Sequence, residues 1–159
     1  MKDAANLILK SSLGVELSQD DAGALSSLMS LRKLVDGEFL ITEGTADDSL
    51  HVLLEGKLEV VKHVGGDEFA SLAVRRDGDL AGELSFVDGA IHTVGLRALC
   101  DSRVLSLTRK DFECVIDENP QLVYKVMRAV ARSAHRIVHR MNHEAIELTN
   151  YIFKQHGRY

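Results

Sequence analysis

Proline occurs once in the 159 residues, at Pro120, and cysteine twice. A chain with no proline before residue 120 keeps its backbone donors available for paired strands. Cys100 and Cys114 lie far apart, without a C-x-x-C spacing or a secretory context, so a disulfide framework is excluded. The two thiols are expected to be reduced and packed as small hydrophobes. No apolar run approaches the ~18 residues that span a bilayer, and the amino terminus lacks a signal-peptide layout. A cytoplasmic address away from membranes is the expectation. The length suits one domain, 1–159, rather than two, and 45% hydrophobic with 27% charged residues is ordinary for a globular chain.

Charge is unevenly divided. Residues 1–118 carry 12 Lys/Arg against 22 Asp/Glu, and residues 119–159 carry 7 against 2. An acidic body with a basic tail segment fits nucleic acid, and fits equally a tail packed on the acidic body of its own or a partner subunit.

Along the chain, residues 3–12 form a short helix, and Ser18 with Asp21 caps a second that runs to about Ser30 with Leu25, Leu28 and Met29 on its buried face. From Leu31 to Leu107 short apolar or alternating runs follow at 31–35, 38–42, 50–55, 57–63, 68–75, 91–99 and 103–107. Glycine turns separate them, at Gly37, Gly44, Gly56, Gly65-Gly66, Gly78 and Gly89. Many short strands with glycine turns predict a β-sandwich or barrel. Apolar residues on both faces of 50–55 suit a strand between a core and a covering helix. Thr108 with Asp111 caps a helix that buries Phe112, Val115 and Ile116. Asn119-Pro120 then starts a long one. Val123, Val126, Val130, Ala134, Ile137, Met141, Ala145, Leu148 and Ile152 recur at helical spacing to about Phe153. That stripe is longer than one domain can cover, so Val130, Ile137, Met141 and Leu148 are read as a coiled-coil-like dimer seam. The rival reading breaks the helix near Asn142 and folds it back. No internal repeat or low-complexity linker is present.

The segment that organises the rest is Asp77 to Ala98. Gly78 and Asp79 turn, and Gly82-Glu83-Leu84-Ser85 opens a short helical turn, where glycine admits close backbone approach and free amides suit an anion. An extended run follows in which His92, Val94, Leu96 and Ala98 share a face. With Asp36-Gly37-Glu38-Phe39-Leu40-Ile41, Glu43-Gly44, Asp48 to Val60 and Arg97-Ala98 in order, this stretch resembles the phosphate-binding cassette of the cyclic-nucleotide-binding domain family. The resemblance covers roughly Gln19 to Met141.

It implies a mainly β fold: an eight-stranded β-roll or jelly roll at 31–107, with the cassette at 78–98. N-terminal helices occupy 1–30, and C-terminal helices at 108–159 include a long dimerisation helix that also serves as ligand lid. It implies that the amides of Gly82, Glu83 and Leu84 receive a phosphate, with Ser85 beside them, and that Glu83 accepts the ribose 2′-hydroxyl. Ser85 is expected to cap or pack locally. One departure stands out: the family usually has arginine where this chain has His92. Arginine is a fixed, forked cation, and removing one partner of a buried charge pair costs about 3–5 kcal/mol. Protonated His92 would recover part of this. Thr93 follows, at a place where threonine often accompanies a guanine preference. Counting from Asn119-Pro120, Ile137 and Val138 fall where family members use hydroxyl groups against the base, so base contact here would be apolar.

These residues imply a dimeric, non-enzymatic sensor that binds cyclic AMP, cyclic GMP or a related anion and needs no other cofactor. The alternative is a degenerate roll kept as a dimerisation or protein-interaction module. Haem held by histidines and a jelly-roll metalloenzyme are remoter options, since His51, His63 and His92 stand alone on separate strands. His135, His139 and His143 repeat on the long helix with no further ligand at metal spacing. Arg128, Arg132, Arg136 and Arg140 read as a surface stripe, paired with the acidic body. Too few residues follow Met141 for a helix-turn-helix, so direct DNA binding is not expected and any effect on transcription would run through a partner.

Overall fold

The computed structural model describes residues 2–156. The ends of the expected 1–159 span, Gly157 among them, lie outside the described residues.

Helix α1 (Lys2–Lys10), a 3-10 turn (Gly14–Glu16) and helix α2 (Gln19–Leu28) open the chain. Ser18 caps α2 as predicted: its Oγ accepts from Asp21 N at 3.1 Å, and the Asp21 carboxylate accepts from Ser18 N at 2.9 Å. Eight strands follow: β1 (Ser30–Leu34), β2 (Phe39–Ile41), β3 (Ser49–Glu55), β4 (Leu58–Gly65), β5 (Glu68–Arg75), β6 (Leu80–Ala81), β7 (Gly95–Ala98) and β8 (Ser102–Thr108). The short helix α3 (Glu83–Asp88) lies between β6 and β7, and α4 (Arg109–Glu113) and α5 (Pro120–His156) close the chain. All strand pairs are antiparallel, in two four-stranded sheets ordered β1-β8-β3-β6 and β2-β7-β4-β5.

Apolar side chains sort into two clusters. One fills the space between the sheets: Leu34, Leu40, Ile41, Leu53, Leu58, Val60, Ala81, Leu96, Ala98 and Val104. The other lies where Leu50, Val52, Leu105 and Leu107 meet Ile8, Leu25, Phe86, Phe112, Leu122 and Val126. β3 thus serves both clusters, which is why it is apolar on both faces.

Several expectations change. The 91–99 run is a strand only from Gly95, because Thr45 O accepts from His92 N at 3.0 Å and His92 O accepts from Gly44 N at 2.7 Å, tying His92 to the β2–β3 loop. β6, hidden inside the cassette motif, pairs with β3 through His51–Ala81 and Val52–Leu80. Thr108 caps α4 as read, but α4 ends at Glu113, and Ile116, placed on its buried face by sequence, is exposed.

Asn119 Oδ1 accepts from Leu122 N at 3.1 Å, and α5 then runs unbroken for 37 residues, with no fold-back near Asn142. Its first turns bury Leu122, Val126, Ala129 and Val130 in the chain's own core. Val130, read as a seam residue, is therefore corrected: it is 3% exposed and out of a partner's reach. Ile137 is half-buried, and residues 141–155 are all exposed, Met141 and Leu148 among them. Ion pairs fasten the proximal half: Lys125 Nζ to Asp21 at 2.6 Å, and Arg128 and Arg132 to Glu16 at 3.2 and 2.6 Å. Two members of the arginine stripe do meet the acidic body.

Candidate functional site

The cassette starts where β6 delivers the chain to Gly82, which has φ +76° and caps α3. A Cβ there would lie 2.6 Å from Ser49 O and 3.3 Å from His51 Cδ2, so β3 and the cassette approach as only glycine permits. Glu83, the next residue, is 4% exposed. Its Oε1 accepts a hydrogen bond from Ser133 Oγ of α5 at 2.8 Å. A buried carboxylate needs such a donor, and here the donor belongs to the long helix. Phe86 on α3 stacks against Phe112 of α4 at 5.3 Å, a second tie from cassette to C-terminal helices.

His92 is 7% exposed and is occupied at both nitrogens. Its Nε2 donates to Asp47 O at 2.7 Å, and Nδ1 lies 3.2 Å from Ser85 Oγ. A carbonyl only accepts, so Nε2 carries the proton, and the neutral ring takes the Ser85 hydroxyl proton at Nδ1. Asp47 also faces a second buried histidine. Its Oδ2 is 3.6 Å from His51 Nε2, an ion-pair distance too long for a hydrogen bond, while His51 Nδ1 meets Ser106 Oγ at 2.8 Å. His51 Nε2 is buried without a hydrogen-bond partner. The His51 contact, helped by Ser49, holds the Asp47 carboxyl well below the usual carboxylate range. Ser85, His92, Asp47, His51 and Ser106 thus form one polar line from α3 to β8.

A depressed carboxyl stabilises the fold above its unfolded value and loses that contribution as pH falls. Asp47→Asn should therefore melt below wild type at pH 7, and the gap should begin to narrow below about pH 4, where unfolded Asp takes up its proton, and keep narrowing toward the depressed folded value. Thermal melts from pH 7 to 3 check this, and a gap that stays constant would refute it.

The structure brings Gly82, Glu83, Ser85 and His92 together. The Leu84 side chain is 58% exposed. Thr93 is exposed, and its carbonyl accepts from Lys62 Nζ at 2.9 Å, Lys62 being paired with Glu43. Val138, a base-contact candidate, is exposed, while Ile137 is half-buried on the same helix. The earlier view that His51 and His92 stand alone on separate strands is corrected, since both converge on Asp47. Sequence reasoning missed Ser133, although a serine at helical spacing from Val126, Ala129 and Val130 on an apolar face signals a buried partner. Nothing in the sequence marked Asp47.

Among the described residues, no group of three or more His, Cys, Asp or Glu is placed to hold a metal. Among the described residues, no helix is long and apolar enough to cross a membrane.

Patatin-like phospholipase domain-containing protein 6 of Pongo abelii is 28% identical over 144 residues, 87% of this chain but 10% of that protein. The chain thus spans about a tenth of that relative's length. A cyclic nucleotide-binding domain from Methylobacillus flagellatus superposes with a TM-score of 0.85 at 20% identity, covering 92% of this chain and 84% of its own. The regulatory subunit of a cAMP-independent protein kinase A from Trypanosoma cruzi, bound to guanosine, superposes with a TM-score of 0.70 at 20% identity, covering 84% and 46%. The family model described as "Cyclic nucleotide-binding domain" matches residues 31–119, more than half of the sequence, over the two sheets, the cassette and α4. The chain belongs to the cyclic nucleotide-binding domain family.

Proposed function

We propose that this chain is a regulatory sensor whose roll takes a ribose-bearing ligand through Glu83 and passes occupancy to α5. The Glu83–Ser133 hydrogen bond carries the reading: the carboxylate suited to a ribose hydroxyl already holds the output helix. A ligand hydroxyl would compete with Ser133 for Oε1, so binding and release of α5 become one exchange. Without the arginine, a phosphate beside Glu83 lacks a fixed countercharge. That favours a neutral nucleoside over cyclic AMP or cyclic GMP at neutral pH. The trypanosomal neighbour bound to guanosine, which has a ribose and no phosphate, supports this choice.

Calorimetry at pH 7 with guanosine, adenosine, cyclic AMP and cyclic GMP tests it. A nucleoside should bind with Kd below about 1 mM, and Ser133→Ala should tighten it about three- to tenfold, since ligand no longer displaces a hydrogen bond worth about 1 kcal/mol. No heat from any of the four at millimolar concentration would sink the proposal.

A second reading, a ligand-free dimerisation and protein-interaction module, draws support from the same polar line, because Glu83 and His92 are satisfied by the protein itself. In both readings the chain is a non-enzymatic cytoplasmic homodimer, seamed along Ile137, Met141 and Leu148 and acting on a partner protein rather than on DNA.

A further inference from the structure

A serine hydroxyl has one proton to give. With His92 neutral, that proton goes to Nδ1, 3.2 Å away, and Ser85 offers the cassette only lone pairs. The Nε2 proton cannot move to compensate, because it is held by the Asp47 carbonyl at 2.7 Å. If the ring takes a proton from solvent, Nδ1 is the nitrogen left to receive it. Nδ1–H then donates to Ser85 Oγ, and the hydroxyl proton must rotate away from the ring. No covalent bond to carbon forms or breaks, and the net change is one proton bound.

We propose that Ser85 is the anion-donating hydroxyl of the cassette and that His92 is the proton gate deciding whether it donates. The inference rests on the reading that the roll takes a ribose-bearing ligand at Glu83. With the ring protonated the gate supplies two things that a phosphate requires: a cationic imidazolium and a free hydroxyl donor beside the α3 amides. With the ring neutral it supplies neither, and a phosphate meets lone pairs next to the Glu83 carboxylate.

Charged groups lie on the elements around the ring. Asp47 gives its carbonyl to His92 and turns its carboxylate toward His51. Glu83 stands two residues before Ser85, bonded to Ser133. Lys62 reaches the carbonyl of Thr93, next in the chain, and is paired with Glu43. The backbone carbonyl of Thr45 accepts from His92 N and holds the main chain at that residue. Ser85 and His92 are both buried.

Calorimetry of the full chain with cyclic AMP and with adenosine, at about pH 5.5 and about pH 8, spans the imidazole range and tests the gate. The cyclic phosphodiester keeps one negative charge at both values, so a difference belongs to the protein. Cyclic AMP should bind about tenfold or more tightly at the lower pH, the worth of one charge-assisted hydrogen bond, while adenosine moves less than about threefold. Ser85→Ala should bring the cyclic AMP ratio below about threefold. His92→Gln, which keeps a side-chain N–H for the Asp47 carbonyl but does not titrate, should do the same. Adenosine binding combined with a cyclic AMP affinity that ignores pH overturns the gate, as does Ser85→Ala with the tenfold ratio intact. Silence from both ligands at both pH values overturns the ribose reading instead.

Discussion

Replacing Gly82 with alanine should lower the melting temperature by about 6–15 °C. At φ +76° a side chain costs about 1–2 kcal/mol. The new Cβ would also sit 2.6 Å from the carbonyl oxygen of Ser49, a backbone atom of β3 that cannot swing aside. Moving β3 or opening the β6–α3 corner adds about 2 kcal/mol, and each kcal/mol shifts the midpoint of a chain this size by about 2–4 °C. Gly44→Ala is the control: φ is +81° there, but nothing lies within 4 Å of the Cβ. It should show no more than about half the loss. Equal losses in scanning calorimetry would mean that the close approach of cassette and β3 is unimportant.

The second large effect concerns assembly. Met141→Glu combined with Leu148→Glu should convert a dimer into a monomer, so light scattering should fall from twice the 17.5 kDa chain mass to one. Both side chains are about 60% exposed on the chain itself, so the change leaves the domain core untouched. Burying four such side chains across a two-fold seam contributes about 6 kcal/mol or more, equivalent to about four decades in Kd. Val130→Ala should act differently: it opens a cavity in the helix-covered cluster, costs about 1–2 kcal/mol of stability and leaves the mass unchanged. A wild-type chain that is monomeric at high micromolar concentration would overturn the seam.

Much of the fold was legible because local chemistry and global layout agree. Ser18–Asp21, Thr108–Asp111 and Asn119-Pro120 each read as helix starts and each is one. Gly37, Gly44, Gly56, Gly78 and Gly89 all adopt positive φ between or beside the strands they were read to separate. The bonding inside the site was less legible. His92 is buried as strand alternation suggested, yet it is not in a strand. It is held by a loop residue 45 positions away, and no periodic pattern encodes that distance. Val130 and Met141 are indistinguishable by helical period, and only packing in the helix-covered cluster decides which is buried. Ile116 was misplaced because α4 stops one residue before Cys114.

The unbroken course of α5 has a mechanical consequence. Ser133 and Leu148 lie on one rigid rod, about 22 Å apart at 1.5 Å per residue. With the N-terminal ion pairs as pivot, a tilt of about 5° at the cassette sweeps the far end through about 2 Å, on the scale of a helix shift at a subunit interface. The helix is then a lever whose short arm is a single hydrogen bond and whose long arm carries the exposed Met141 and Leu148.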